Sequence, residues 1–351
     1  MHLLRLLFFT TLLAASTAAA APAFAAPKND DDFVDAMRRA FREPYQNQHQ
    51  RAVLQLLDFL TPQNADRVGK LFGEFNEDGI RRDFAWGAYW RRLGEVDGAA
   101  TLDALVAGRD PHDGYWHYEA VMEGWATVDP AAAERWLRAH PEAKHFWALY
   151  QRVIAAWART DADRATQILF DLGKDEKYIA DALPVLADTL RLVGGTGRIA
   201  AWFETLNDSG KQVAINHAAW RIKDGDLAAA VKWFAAQADK PWRDDQHFGA
   251  FLDRYVDANP MAAMAWAAAL PPPPGGTDPA GLQSGMKRWA LQDEVTPPKW
   301  LAARQTQTWW PRAASGYVQA LREKKNAVGA ESFLQGLAPE VRAAVERVLQ
   351  R

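Results

Sequence analysis

The chain has 351 residues, 49% of them hydrophobic and 24% charged, enough apolar mass for a sizeable folded core. A formal net charge of −3, with both signs interspersed, offers no basic face for nucleic acid or an anionic membrane. With no cysteine there can be no disulfide, thiolate metal site or cysteine nucleophile; the 16 tryptophans are the unusual feature.

The opening stretch, MHLLRLLFFTTLLAASTAAAAPAFAAPKND, reads as a targeting segment. Arg5 supplies early positive charge, Leu6 to Ala15 form a short apolar core, and Ala23-Phe24-Ala25 places small residues where a signal peptidase reads. Thr10, Thr11, Ser16 and Thr17 dilute the apolar run and Pro22 follows it, which argues against a membrane anchor. Residues 1–25 are therefore expected to be a signal peptide. The mature protein is expected in the periplasm or secreted, without membrane insertion after cleavage. Residues 26–48 follow as a linker and leading helix.

From residue 49 to 338 the chain repeats itself. GWATVDPAAAERWL, AWARTDADRATQIL and YVDANPMAAMAWA are three copies of one phrase. Apolar anchors at Leu71, Ala104, Trp136, Ile168, Trp202, Trp233, Trp266, Trp300 and Phe333 recur at steps of 31–34 residues. Seven residues before each stands Asn64, Asp97, Asp129, Asp161, Gly195, Asp226, Asn259, Asp293 or Asn326. Eight of those nine are Asp or Asn, which cap helices because the side-chain oxygen accepts an otherwise orphaned backbone N–H. Pro130 and Pro260 directly follow their caps, at the first helical position where a missing N–H costs nothing. Each unit is thus a first helix (A), a cap, and a second helix (B) carrying the anchor. Trp125, Trp157, Ile222, Tyr255 and Trp289, each 11 residues before an anchor, are placed to clasp the hairpin shut. The expected fold is all-α: a right-handed αα-hairpin solenoid of about nine repeats, closed by a capping helix over residues 339–351.

In period, and in the small-xxx-aromatic pattern of helix B (Ala132/Trp136, Ala229/Trp233, Ala262/Trp266), the chain resembles the tetratricopeptide-like class of helical repeats. Pro141 and Pro271 echo that family's closing proline, and the phrase WAxxDPxAAxxW resembles degenerate Trp-rich repeats of exported proteins. The resemblance implies a binding surface, not a reaction, and carries no ligand residues over, because helix A lacks the Leu-Gly-x-x-Tyr element.

Two places break the pattern. LRLVGGTGRIAAWF puts Gly194, Gly195 and Gly197 where a cap belongs; without a preceding strand or a following Lys-Ser/Thr, it is expected to be a loosened hairpin turn, not a phosphate loop. LPPPPGGTDPAGL, Leu270 to Leu282, is expected to be a surface loop that shortens helix A of its repeat.

For chemistry, no G-x-S-x-G elbow, H-E-x-x-H or phosphate loop occurs. The one concentration of candidate groups lies in the loops before helix A of two successive repeats: His112, Asp113, Trp116 and His117 in DPHDGYWHYE, and His145 in RAHPEAKHFW. They could bind a metal or a sugar stacked on Trp, but their spacing matches no known ligand set, and ordinary polar loops collect such residues too. No cofactor or metal is expected. His217, in the middle of a helix A, is expected to be a packed histidine. Trp309 and Trp310 in QTQTWWPR cannot both face one direction, so at least one is expected at the surface. The possible ligand surface is therefore His112, Asp113, Trp116, His117 and His145, with Trp309 and Trp310 further along. The expected function is an exported, non-enzymatic binding or scaffold protein holding a protein, a peptide or an envelope glycan. The alternative is a carbohydrate-active enzyme with an α/α toroid, which would need paired carboxylates in a central cleft.

Overall fold

A computed structural model describes residues 26–75, 79–108, 115–172, 176–273 and 281–350. Among them the chain is all-α: helices joined by turns, with no strand. It divides into two compact units, residues 1–153 and 154–351.

The first unit contains α1 (Asp30–Phe41), α2 (Gln46–Leu57), α3 (Pro62–Glu74), α4 (Gly79–Val106), α5 (Tyr115–Val128) and α6 (Pro130–Ala139). The division falls inside α7 (Phe146–Thr160). The second unit continues with α8 (Ala162–Leu172), α9 (Glu176–Thr205), α10 (Asp208–Ile222), α11 (Leu227–Gln237), α12 (Asp245–Ala258) and α13 (Pro260–Ala269). It ends with α14 (Leu282–Gln292), α15 (Thr296–Ala302), α16 (Trp310–Glu323), α17 (Ala327–Gln335) and α18 (Pro339–Leu349).

The phased Asp and Asn residues begin the B helices. Oδ1 of Asp129 accepts from Ala132 N at 2.9 Å, that of Asp161 from Arg164 N at 2.9 Å, and that of Asp226 from Ala229 N at 2.8 Å. Asn259 and Asn326 do the same with Ala262 N and Gly329 N, at 3.2 and 2.9 Å. Asp97 sits inside the run of α4 but breaks it: its φ −157°, ψ 60° is close to the φ −157°, ψ 86° of Asn259, so α4 is an A helix and a B helix run together. In α9 the corresponding break is at Gly194 and Gly195, the latter at φ 66°, a backbone L side chains rarely adopt.

Two phased residues are not N-caps. Asn64 lies inside α3, where its Oδ1 accepts from Thr61 N at 2.9 Å, and Thr61 is the cap. Asp293 stands before α15 and accepts from Val295 N and Thr296 N at 2.8 and 3.2 Å. Prolines decide both cases. Pro62, Pro297 and Pro298 lack an N–H and fit only a first helical turn, which fixes where each helix starts.

The clasp forms as the spacing implies. Trp125 meets Trp136 with ring centroids 6.4 Å apart, Tyr255 meets Trp266 at 6.0 Å, and Trp289 meets Trp300 at 6.1 Å. All three pairs are edge-to-face, the arrangement the ring quadrupoles favour. Burying one such Trp removes roughly 150–250 Å² from water, an upper bound of several kcal/mol.

Consecutive A helices also pack on one another: α4 on α5 in the first unit, and α9 on α10, α12 on α14 and α14 on α16 in the second. At the α4–α5 contact the backbones touch. A Cβ on Gly94 would lie 2.0 Å from Val121 O, and one on Gly124 only 1.9 Å from Arg91 O, so this crossing requires glycine on both sides.

Candidate functional site

The histidine-rich loops come first. His112 and Asp113 lie outside the described residues. Trp116 and His117 open α5, and their rings meet at 3.9 Å. His117 is not a surface ligand: it is 1% exposed, stacked on Trp90 at 4.8 Å and lying 6.0 Å from Trp86, both on α4. The helix periodicity turns it inward, onto two indoles contributed by the preceding repeat. His145 precedes α7 in a left-handed conformation, φ 60°, with its ring edge-on to Tyr118 at 5.4 Å. Tyr118 in turn donates its O–H to Leu105 O at 2.8 Å. Trp116 and His145 are half-buried, and their rings serve the packing around α5 and the turn into α7. Among the described residues, no three His, Asp or Glu side chains converge to hold a metal ion.

Trp309 and Trp310 require a correction. Both are buried, at 5% and 1% exposure. Trp310 donates its indole N–H to Leu301 O at 2.8 Å and stacks on Phe333, while Trp309 leans on Trp300 at 5.5 Å. Adjacent rings do point in different directions, but both lead into the packing: Trp309 meets α15, and Trp310 lies against α17 while bonding α15. Neither is a contact surface.

Among the described residues of the second unit, the most exposed aromatic is on α10. Ala214, Ala218 and Ile222 turn that helix's inner stripe into the core, yet Val213 and Trp220 remain 42% and 55% exposed on the opposite side. Lys223 Nζ lies 4.0 Å from the Trp220 ring centroid, and the His247 ring from α12 approaches its edge at 6.3 Å. His217, half-buried, stands between Val213 and Trp220 on the same face at i+4 and i−3. Burial first, then the charges of Arg221 and His247, hold its imidazole below the ordinary histidine range, with Asp188 opposing. Arg221 is committed elsewhere: it forks onto Asp188 of α9 at 2.8 and 2.7 Å and also bonds Pro184 O. Sequence reasoning does not single out this constellation, yet it carries a signal. Trp220, six residues before its cap, matches no phased aromatic, since the equivalent positions hold Arg91, Glu123, Ala155, Thr189, Asp253 and Lys287.

The chain matches no family model, no curated protein and no solved structure.

A second feature is also absent from the sequence expectations. Arg92, Arg221, Arg254 and Arg288 all stand five residues before the phased Asp or Asn of their repeat. Arg92, Arg254 and Arg288 reach back to the end of the preceding A helix, whereas Arg221 meets Asp188 and Pro184 within the A part of α9. Arg92 bonds Leu57 O and Asp58 O at 3.1 and 3.2 Å, Arg254 bonds Lys223 O and Gly225 O, and Arg288 forks onto Asp257. A cation there also meets the negative end of the preceding helix dipole. These arginines hold repeats together.

Proposed function

We propose that the chain is an exported, non-enzymatic binding protein of the tetratricopeptide-like class. Its successive αα-hairpins form a solenoid that holds a protein, peptide or envelope polymer through residues outside the repeat pattern. The observation that carries this reading is the division of labour among side chains. Phased Asp and Asn residues cap helices, phased aromatics clasp hairpins and phased arginines tie repeats, whereas Trp220 belongs to none of these and remains 55% exposed. An exposed indole is a large, rigid surface, the kind that anchors partners. Export rests on the N-terminal pattern of Arg5, the Leu6 to Ala15 core and Ala23-Phe24-Ala25. No helix among the described residues is long and apolar enough to cross a membrane.

The test is a photo-reactive amino acid placed at position 220, and separately at Lys232, an exposed helix-B position. In an intact envelope fraction the first should give a discrete cross-linked adduct and the second should not. Turnover of a glycan or peptide by the purified protein would overturn the reading, as would equal cross-linking from both positions.

A further inference from the structure

Gln212, Asn216 and Trp220 stand at i, i+4 and i+8 on α10, one turn above another along a stripe about 12 Å long. All three are exposed. Within the described residues neither side-chain amide makes a hydrogen bond, so each turns an NH2 donor and a carbonyl acceptor to solvent. The same line on α5 reads Tyr115, Glu119 and Glu123, and on α12 Asp245, Gly249 and Asp253. The stripe on α10 differs: two free amides lead up to an indole, and none of the three carries a charge.

The charges around the indole are engaged with one another. Lys223 lies over one ring face at 4.0 Å and pairs with Asp224 at 2.9 Å. Arg221 forks onto Asp188, and His247, which meets the indole edge, has Asp244 Oδ2 3.0 Å from its Nδ1. Arg254 spends both terminal nitrogens on Lys223 O and Gly225 O. A cationic ligand would find Lys223 already on the ring and no carboxylate to spare, and an anionic one would find the nearby cations committed. The complementary occupant is uncharged.

With one ring face under Lys223 and Trp220 still 55% exposed, the other face is open. That face is the negative part of the indole quadrupole and attracts polarised C–H groups. A sugar ring is the uncharged ligand that joins a C–H face to a rim of hydroxyls, each both donor and acceptor, whereas an apolar peptide side chain covers the indole alone. Resting on the binding reading above, we propose that α10 carries a glycan subsite. An uncharged oligosaccharide lies along Gln212, Asn216 and Trp220, with its C–H face on the indole and its hydroxyls on the two amides.

Equilibrium binding of the full chain to uncharged tetrasaccharides of glucose, galactose, mannose and N-acetylglucosamine tests it. At least one should bind, and its Kd should hold constant as NaCl is raised to about 1 M, because no ion pair contributes. Trp220→Ala should raise that Kd about thirtyfold, as loss of an aromatic anchor does. Asn216→Ala should raise it about fivefold, as loss of a neutral hydrogen bond does. Both positions are exposed, so the circular dichroism of the variants should match wild type. Binding of none of these sugars, or binding that Trp220→Ala retains in full, would overturn the proposal. An envelope adduct trapped by a photo-reactive residue at Val213 should keep its added mass through protease digestion of the partner. An adduct that the protease reduces to a peptide remnant would overturn the glycan assignment while leaving the binding reading in place.

Discussion

The indole N–H of Trp136 donates to Asp103 Oδ1 at 2.8 Å across one full repeat. Asp103 immediately precedes the anchor of the previous unit, Ala104, so the bond ties B helix to B helix. Trp202 makes the analogous bond to Thr166 Oγ1 at 2.8 Å. Three later anchors have no such acceptor: the buried Nε1 atoms of Trp233, Trp266 and Trp300 lack a hydrogen-bond partner. The residues matching Asp103 in the repeats before them are Ala201, Lys232 and Ala265, none of which can accept.

Installing the missing acceptor should stabilise the chain. Ala265 is exposed, and Ala265→Asp should offer Trp300 the oxygen that Asp103 offers Trp136. A gain of about 1 kcal/mol is expected from a new hydrogen bond to a charged acceptor, read as a Tm raised by a few degrees. Conversely, Asp103→Ala should cost about 1–3 kcal/mol by orphaning a part-buried donor, and much less in a Trp136→Phe background. Equal costs in the two backgrounds would show that the bond contributes nothing.

The α4–α5 crossing gives a contrast between two glycines. Gly124→Ala would put a Cβ 1.9 Å from Arg91 O, and overpacking of this kind costs about 1–3 kcal/mol. At Gly87, in the interior of α4, an added Cβ would meet nothing within 4 Å, so Gly87→Ala should stabilise by about 0.5–1 kcal/mol through helix propensity. Denaturant midpoints for the two variants should move in opposite directions.

Asp253 on α12 leads to a pH-dependent prediction. Its Oδ1 is buried without a hydrogen-bond partner, and burial raises its carboxyl above the ordinary value, aided by Asp257 and opposed by Arg288. A carboxyl whose folded value is raised supports the fold while protonated, and that support is lost as pH rises through the folded value. Asp253→Asn should therefore raise Tm at neutral pH, and the gain should shrink as pH falls toward 3.8. A gain that is constant with pH would assign the effect to something other than ionisation.

What is legible in the sequence is what is local and repeated. Asp129 capping Ala132, or Trp125 clasping Trp136, involves residues within one hairpin, and their spacing alone brings them together. The departures come from longer range. Pro297 and Pro298 shift the start of α15 past Asp293, a local conflict whose outcome depends on which constraint is harder, and a missing N–H is harder than a cap. His117 meets Trp86 and Trp90 from the preceding repeat, so its burial depends on the stacking of repeats and not on its polar neighbours in sequence. Trp309 and Trp310 suggest a surface because adjacent side chains diverge, but divergence within a stack leads into two different packing layers. The phased arginines are visible as a pattern, but their acceptors, backbone carbonyls one repeat away, carry no sequence signature.

The central claim is that phased residues fold the chain and Trp220 serves its surface. Melting temperature and retention of the adduct formed from residue 220's face, measured together on Asp129→Ala and Trp220→Ala, test it most directly, with a photo-reactive residue at Val213 reporting retention in both. Asp129→Ala should lower stability by about 1 kcal/mol and keep the adduct, whereas Trp220→Ala should lose the adduct with its Tm unchanged. The reverse result, an adduct lost with the cap and kept without the indole, would contradict the account.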